Sequence, residues 1–356
     1  MDLLTHALVG AAAGSATRAG KDMRVAGFAG AVAALLPDID FFIDSAQDPL
    51  LHLELHRHFT HSLAFAPIGA LIAAGLLYPL LRRRLGFGAL YLATLAGFAT
   101  NGLIDMCTSY GVHLFWPFSD GRVALHIVSV ADPVFTLGVG IPVVVALWLR
   151  RRSVLLAGLA AGLLYMGASG VQQARGAALA EDLAERRGHV PEDLLLRPSF
   201  ANILLWRSLY RAEGEWFVDA IRPGITASAR VYPGGSWPVF EPAERLPAEL
   251  QDVAPDSRLA DDLRRLDAVS EGYLIWDGAR NRIGDIRFST LPDGVAPMWG
   301  LEVDPDNPEA VPSWFTDRTL TPAMRERFLA QLRGAPSATK ANEEAQATVE
   351  LGSERE

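Results

Sequence analysis

The residues of this sequence that could do chemistry are histidines and aspartates at the ends of long apolar segments. Ionisable side chains are costly inside or at the mouths of membrane-spanning helices, so each of them raises the hypothesis of a functional site. Imidazole nitrogens and carboxylate oxygens are ligands of zinc, manganese and iron. Their combination therefore predicts metal binding. The candidates are His6, Asp38 and Asp40 of PDID, His56, His58 and His61 of HRHFTH, Asp105 of GLID, and Asp132 of ADP.

The kind of metal site follows from which ligands the chain has. The single cysteine, Cys107, excludes an intramolecular disulfide and a cysteine-based zinc cage. A mixture of His and Asp without thiolates favours a catalytic site, which keeps a coordination position for water. Several carboxylates can also bridge two ions. We therefore expect a divalent cation, with zinc first and manganese or iron as alternatives, in a site that could hold two ions.

Some of these residues have ordinary structural interpretations as well. Asp38 and Asp40 are two positions apart, so a regular helix would point them in divergent directions, and both can reach one cluster only if the helix has ended there. PDID is also typical of a helix-breaking turn. Asp132 precedes a proline, which is equally consistent with capping of the next helix. His52 and His113 favour a loop or interfacial role over metal ligation.

Apolar runs supply the elements that must position these residues. About 20 apolar residues cross the hydrocarbon core of a bilayer as a helix. The run at 3–17 is short for a span, and the other five are long enough. The runs lie at 3–17, 24–43, 62–81, 86–106, 127–149 and 153–171.

The positive charges predict an orientation for these helices. Short loops rich in Lys and Arg stay in the cytoplasm, and they lie at 18–24, 82–84 and 150–152. The segments 44–61 and 107–126, and everything after residue 171, are then expected on the opposite face. The histidine and aspartate candidates fall together on that non-cytoplasmic side.

The composition changes near residue 171. The region 1–171 is dominated by Ala, Leu, Gly and Val, whereas charges and prolines recur every few residues beyond it. The runs EWFVDAI, GYLIWDG and GDIRFST predict strands, so 172–334 is expected to be a small soluble α+β domain. The polar tail 335–356 is expected to be disordered. The predicted fold class is mainly α, a polytopic transmembrane helical bundle followed by this α+β domain.

The charge of the chain indicates which kinds of partner it can bind. The formal net charge is −9, and the arginine clusters flank apolar runs, whereas a nucleic-acid binder needs clustered Lys and Arg on an exposed face. We therefore expect membrane lipids as partners and no nucleic acid.

Five motifs in order resemble a known family. MDLLTHALVG, LLPDID, HRHFTHS, GLIDMCTSYGVHLFWPFSD and VADPVFTL are similar to the predicted membrane-bound metal-dependent hydrolases of bacteria, which include the LexA-regulated inner-membrane protein. The likeness covers residues 1–150 and continues weakly through NILLWRSLYR and GDIRFS. It implies an inner-membrane location and the metal-site residues His6, Asp38, Asp40, His56, His61 and Asp105.

The sequence departs from the family pattern at two positions. His58 stands where these proteins usually have a small residue, and Asn101 stands where a histidine is expected four residues before the aspartate. Loss of that imidazole leaves open whether the ligand set is complete, because His58 or His126 could replace it and Asn can offer a carbonyl oxygen.

The expected function is hydrolysis by metal-activated water. Arg57 is the predicted catalytic residue, because a guanidinium can bind a substrate phosphate or carboxylate through two hydrogen bonds. A site at headgroup depth favours a lipid or a lipid-linked ester or phosphoester at the outer membrane–water interface. The alternatives are a metal or proton transporter, which should carry its acids near mid-membrane, and a non-catalytic envelope protein with a structural metal site, which Asn101 favours.

The predicted orientation can be measured with fusions. An alkaline phosphatase reporter joined after Gln172 is expected to be active, because that enzyme matures only outside the cytoplasm, and the same reporter joined after Arg84 is expected to be inactive. Activity after Arg84 and none after Gln172 would reverse the topology.

Overall fold

The structure of this protein is a computed structural model that describes residues 1–225, 228–242 and 246–336. Its internal contacts divide the chain into two units, which are described separately. Unit 1 comprises Met1–Val171 and Phe200–Ile203, and unit 2 comprises Gln172–Ser199 and the chain from Leu204 onward. Unit 1 is helical and unit 2 contains antiparallel sheets, which confirms the expected fold class. Residues 337–356 of the tail predicted to be disordered lie outside the described residues.

The predicted apolar runs all form helices. The run at 127–149 becomes helical only at Pro133, because Asp132 caps the helix there. The last run continues without a break to Arg186, so the change in composition at residue 171 lies inside a helix. The helices before and across this boundary are α1 Leu3–Ala16, α2 Asp22–Leu35, α3 Leu51–Leu55, α4 Ala66–Leu81, α5 Phe87–Asp105, α6 Pro133–Leu149 and α7 Arg152–Arg186.

Three helical segments of the described residues are long and apolar enough to cross a membrane. They are Asp22–Phe42, Phe87–Asp105 and Arg152–Arg186. The segments Leu51–His61 and Ala66–Leu81 are together long and apolar enough to form a fourth span, with a bend of 85° between them. Helices α1 and α6 are apolar but shorter.

Glycines allow helices α1, α2 and α5 to touch through their backbones. A Cβ atom added at Gly30 of α2 would lie 2.3 Å from the carbonyl oxygen of Gly10 in α1. A Cβ atom at Gly97 of α5 would lie 2.2 Å from the carbonyl oxygen of Gly30. Small residues produce such close helix packing in membranes. The contact brings together the start of α1 and the ends of α2 and α5.

The chain is irregular immediately after α2. Pro37 has no amide hydrogen for helical bonding, and the α-helix ends at Leu35, followed by a 3₁₀ turn over Pro37–Phe42. A second 3₁₀ turn spans Phe59–His61 before α4. The helix is therefore already broken where Asp38 and Asp40 occur.

Unit 2 contains two four-stranded antiparallel sheets within its described residues. The runs EWFVDAI and GYLIWDG form strands as predicted. In GDIRFST the strand ends at Asp285, because the Arg287 guanidinium and amide nitrogen both donate to the Asp285 carboxylate and turn the chain. The strands are β1 Glu192–Pro198, β2 Trp206–Ala212, β3 Glu215–Arg222 and β4 Arg230–Pro238 in one sheet, and β5 Leu274–Asp277, β6 Arg282–Asp285, β7 Trp299–Glu302 and β8 Ser313–Thr316 in the other, with helices α8 Arg258–Ser270 and α9 Pro322–Arg333.

The glycine contact predicts an asymmetric response to alanine. Gly30→Ala is expected to destabilise unit 1 by about 1–3 kcal/mol, because the new methyl group meets a rigid backbone carbonyl. Gly138→Ala in α6 is the matched control, since open space surrounds its Cβ position, and it is expected to be neutral or stabilising by up to about 1 kcal/mol. Thermal unfolding in detergent measures both. Equal effects would contradict the close-packing interpretation.

Candidate metal centre

Three residues from different elements form the centre of a buried cluster. His6 lies in the second turn of α1, Asp38 in the 3₁₀ turn after α2, and Asp105 at the last position of α5. Each offers one ligand atom, and these atoms all lie within 4.8 Å of one another. The Nε2 atom of His6 is 3.3 Å from Oδ1 of Asp105, and both side chains are fully buried.

His61 extends the cluster on the other side of Asp105. Its Nε2 atom lies 3.5 Å from Oδ1 of Asp38 and 3.6 Å from Oδ2 of Asp105. The 3₁₀ turn before α4 holds this imidazole, which is fully buried. The two carboxylate oxygens of Asp105 therefore face two different histidines.

The cluster fits a divalent cation. Nε2 of His6, Nε2 of His61 and Oδ2 of Asp105 are buried without a hydrogen-bond partner among the residues that the structure describes, which costs free energy unless another ligand satisfies them. Donor atoms about 2.0–2.1 Å from a tetrahedral zinc ion are about 3.3 Å apart. The observed separations of 3.3, 3.5 and 3.6 Å are close to that value. His and Asp donors suit zinc, manganese and iron.

Asp40 contacts the residues around the cluster. Its Oδ1 atom lies 2.7 Å from Nδ1 of His56. Its Oδ2 atom accepts from the Thr60 hydroxyl at 2.6 Å and from the Arg57 amide at 3.1 Å, and lies 3.3 Å from Nδ1 of His61. A carboxylate on Nδ1 orients an imidazole so that Nε2 can bind a metal. Asp40 and His56 are predicted metal-site residues, and in the structure they pair with each other beside the cluster.

Arg57 occupies a constrained position next to Asp105. Its backbone is left-handed, with φ of 62°, which is uncommon outside glycine. The conformation is held because the Arg57 amide donates to Asp40 and its carbonyl accepts from the His113 amide. The Nε atom lies 3.1 Å from Oδ2 of Asp105, and Nη1 donates to the Thr108 hydroxyl at 3.1 Å. The contact with Asp105 is electrostatic, since neither atom completes a hydrogen bond.

Two further groups contact the carboxylates of Asp105 and Asp38. The buried amino group of Met1 contacts Oδ1 of Asp105. The amide nitrogen of Asn101 donates to the Ala34 carbonyl at 2.9 Å and to Oδ2 of Asp38 at 3.0 Å. From the sequence, Asn101 is a departure from the family pattern whose carbonyl oxygen could serve as a ligand, whereas in the structure its amide nitrogen contacts Asp38. Thr60 and Thr108 are not among the residues predicted from the sequence, although both occur in the motifs that carry the resemblance.

Asp132 serves the start of helix α6. Its Oδ1 atom accepts from the amide nitrogens of Val134 and Phe135, and its Oδ2 atom accepts from the Tyr165 hydroxyl at 2.7 Å. Both oxygens are thus engaged in helix capping and in a contact with α7, which is the structural alternative that the sequence left open for this residue.

The remaining histidines of this region lie beside the cluster. His52 stacks on His56, with ring centroids 5.6 Å apart. His58 packs on His113 at 4.5 Å and on Trp116 at 5.9 Å. Burial, followed by the charges of Arg122 and His58, lowers the pKa of His113 to about 4. His113 is therefore a neutral aromatic partner of His58 at physiological pH.

The fold and the cluster together define a class of helical membrane protein in which broken helix ends converge on buried histidines and carboxylates. Comparison with known protein families agrees with a membrane protein. Residues 1–176 match the family model of the YdjM inner membrane protein, and this part of the chain belongs to that family. The resemblance recognised from the motifs is thus confirmed, and the protein is an inner membrane protein.

A curated relative is also similar. The uncharacterized protein YfhP of Bacillus subtilis (strain 168) is 30% identical over 143 residues, which cover 37% of this chain and 42% of the relative. The chain therefore matches less than half of that relative's length. No solved structure matches the chain significantly.

The contacts of Asp40 predict a large stability effect. Asp40→Ala is expected to destabilise unit 1 by about 3–5 kcal/mol, because a buried charged group with several partners is removed. Asp44→Ala is the control, since that exposed aspartate accepts from the neighbouring Ser45 amide, and its effect on stability should stay within about 0.5 kcal/mol. Thermal unfolding of both variants in the same detergent measures the difference. A small effect of Asp40→Ala would contradict its orienting role.

Proposed function

We propose that the protein is a membrane-bound hydrolase that binds a divalent cation and cleaves an ester or phosphoester of a lipid or a lipid-linked molecule. The observation that carries this proposal is the convergence of the buried His6, His61 and Asp105 with the partly buried Asp38. Their ligand atoms stand at metal-site separations and in part lack any other partner. A bound cation would satisfy the nitrogen and oxygen atoms that have no other partner among the described residues.

These four residues would hold the cation. The chemistry that a divalent ion supplies in such a site is Lewis acidity, which activates water near neutral pH and stabilises negative charge on the attacked group. His and Asp ligands without thiolates are typical of catalytic zinc sites, and the same donors accept manganese or iron.

The position of Asp105 favours room for two ions. Its Oδ1 atom faces His6 at 3.3 Å and its Oδ2 atom faces His61 at 3.6 Å. A carboxylate that offers its two oxygens to separate sets of ligands can bridge a pair of ions. We expect up to two bound ions per chain on this basis.

The residues around the cluster have separate tasks in this proposal. Asp40 and the Thr60 hydroxyl contact Nδ1 of His61 at 3.3 and 3.0 Å, which leaves Nε2 as the atom that can bind the cation. Arg57 holds a positive charge beside Asp105, and its guanidinium fork is suited to a phosphate or carboxylate of the substrate. The left-handed backbone at Arg57 aims this side chain inward, because the Asp40 carboxylate holds its amide.

The substrate class is proposed from the surroundings of the cluster. Phe41 and Phe42 follow Asp40 directly and are 57% and 81% exposed, and Phe118 of the loop after α5 is 88% exposed. The ring of Phe41 packs on His56 at 5.9 Å, so apolar surface continues to the edge of the site. Exposed aromatic rings at helix ends are typical of the membrane interface, which favours a substrate with a lipid part, on the non-cytoplasmic side.

The proposed activity can be tested on the purified protein. Metal analysis is expected to find a divalent ion, and a panel of phosphodiesters, carboxylic esters and phospholipids is expected to include a substrate. His61→Ala and Asp38→Asn should each reduce turnover by more than about 100-fold, since even residues outside the ligand set cost about 10–100-fold in metal sites. His52→Ala is the control, because this neighbouring imidazole stacks on His56 and meets Phe41 edge to face, and it should keep most of the activity.

Other outcomes would favour the other functions. Retained metal without turnover on any substrate would contradict hydrolysis and favour a structural metal site. Metal flux into proteoliposomes that depends on His61 and Asp38 would favour a transporter. Full activity of His61→Ala would contradict the assigned site.

A further inference from the structure

Asn101 connects two helices to the candidate ligand Asp38. It lies inside α5 and is fully buried. Its amide nitrogen donates both to the carbonyl of Ala34 in α2 and to Oδ2 of Asp38, at 2.9 and 3.0 Å. A backbone carbonyl can only accept a hydrogen bond, so the atom that faces Ala34 must be the nitrogen. This fixes the orientation of the amide.

The side chain is expensive at this position. Its Oδ1 atom is buried without a hydrogen-bond partner, and a polar group inside a membrane helix costs free energy. A residue that served only packing would be replaced by an apolar one at a gain in stability. The cost therefore points to a role for this side chain beyond packing.

The geometry at Asp38 indicates what that role is. The amide of Asn101 occupies Oδ2 of Asp38, and the other oxygen, Oδ1, faces Nε2 of His61 at 3.5 Å. Asn101 and Asp105 are four positions apart and share one face of α5. One face of α5 thus carries both the candidate ligand Asp105 and the amide of Asn101, which contacts a second candidate ligand, Asp38.

We propose that Asn101 is a positioning residue that holds the Asp38 carboxylate with Oδ1 toward the metal, while it is not itself a ligand. The inference rests on the proposed metal site. It gives position 101 an orienting task in this chain. The Ala34 carbonyl lies in the last turn of α2, where carbonyls lack helical partners, and it provides the fixed point against which the amide is held.

The test compares two buried side chains of α5. Asn101→Ala is expected to raise the dissociation constant for Zn²⁺ about 10–100-fold, which is the usual cost of losing an orienting partner. Thr94→Ala is the matched control, because the buried Thr94 hydroxyl also joins α5 to a neighbouring helix, through the Ala70 carbonyl at 3.0 Å, but contacts none of the candidate ligands. Its dissociation constant should stay within about 2-fold of that of the wild type. Competition with a chelating dye in detergent measures the constants, and thermal unfolding of the metal-free proteins measures stability.

Further measurements separate positioning from other roles. The number of ions bound at saturation and the coordination number of Co²⁺, read from the intensity of its visible bands, should not change in Asn101→Ala, because the donor atoms remain the same. If that variant does not fold, Asn101→Ser provides the same comparison with a smaller disturbance. An unchanged affinity, or a loss of affinity equal to that of Thr94→Ala, would overturn the inference and leave the proposed hydrolase intact. A lower Co²⁺ coordination number in Asn101→Ala would make Asn101 a ligand and overturn the inference as well. A wild-type protein that binds neither ion would overturn both proposals.

Discussion

The fully buried carboxylate of Asp105 is the constraint around which the site is organised. A carboxylate removed from water needs compensating charge or hydrogen bonds. The chain supplies imidazoles from His6 and His61 and the guanidinium of Arg57, all within 3.6 Å. Oδ2 of Asp105 nevertheless has no hydrogen bond. A cation bound between these groups would complete the compensation of the Asp105 charge. Electrostatics therefore supports the metal hypothesis in addition to the residue types.

Close helix packing is needed to bring these groups to Asp105. His6, Asp38 and Asp105 come from three helix ends, so the cluster exists only if α1, α2 and α5 approach closely. Gly10, Gly30 and Gly97 permit that approach, because their backbones touch where a methyl group would collide. The break after α2 then lets the chain turn at Pro37, and Asp38 reaches the cluster while Asp40 contacts the neighbouring segment.

Several features of fold and site were readable from residue types. Apolar runs predicted the helices, and the motifs predicted the family that residues 1–176 match. The roles of individual acids were less accessible, because one-dimensional spacing does not show which oxygen meets which donor. Asp40 and His56 looked equivalent to Asp38 and His61 in the sequence, yet in the structure Asp40 pairs with His56 and supports His61.

The sequence by itself determined that this is a membrane protein with histidines and aspartates at helix ends, since hydropathy and ligand type are local properties. Only the tertiary structure decided how these groups divide their tasks. Asn101 illustrates the difference, because its significance depends on two acceptors that are more than sixty residues away along the chain and about 3 Å away in space. Such contacts depend on how the helices pack, and helix packing depends on many residues at once.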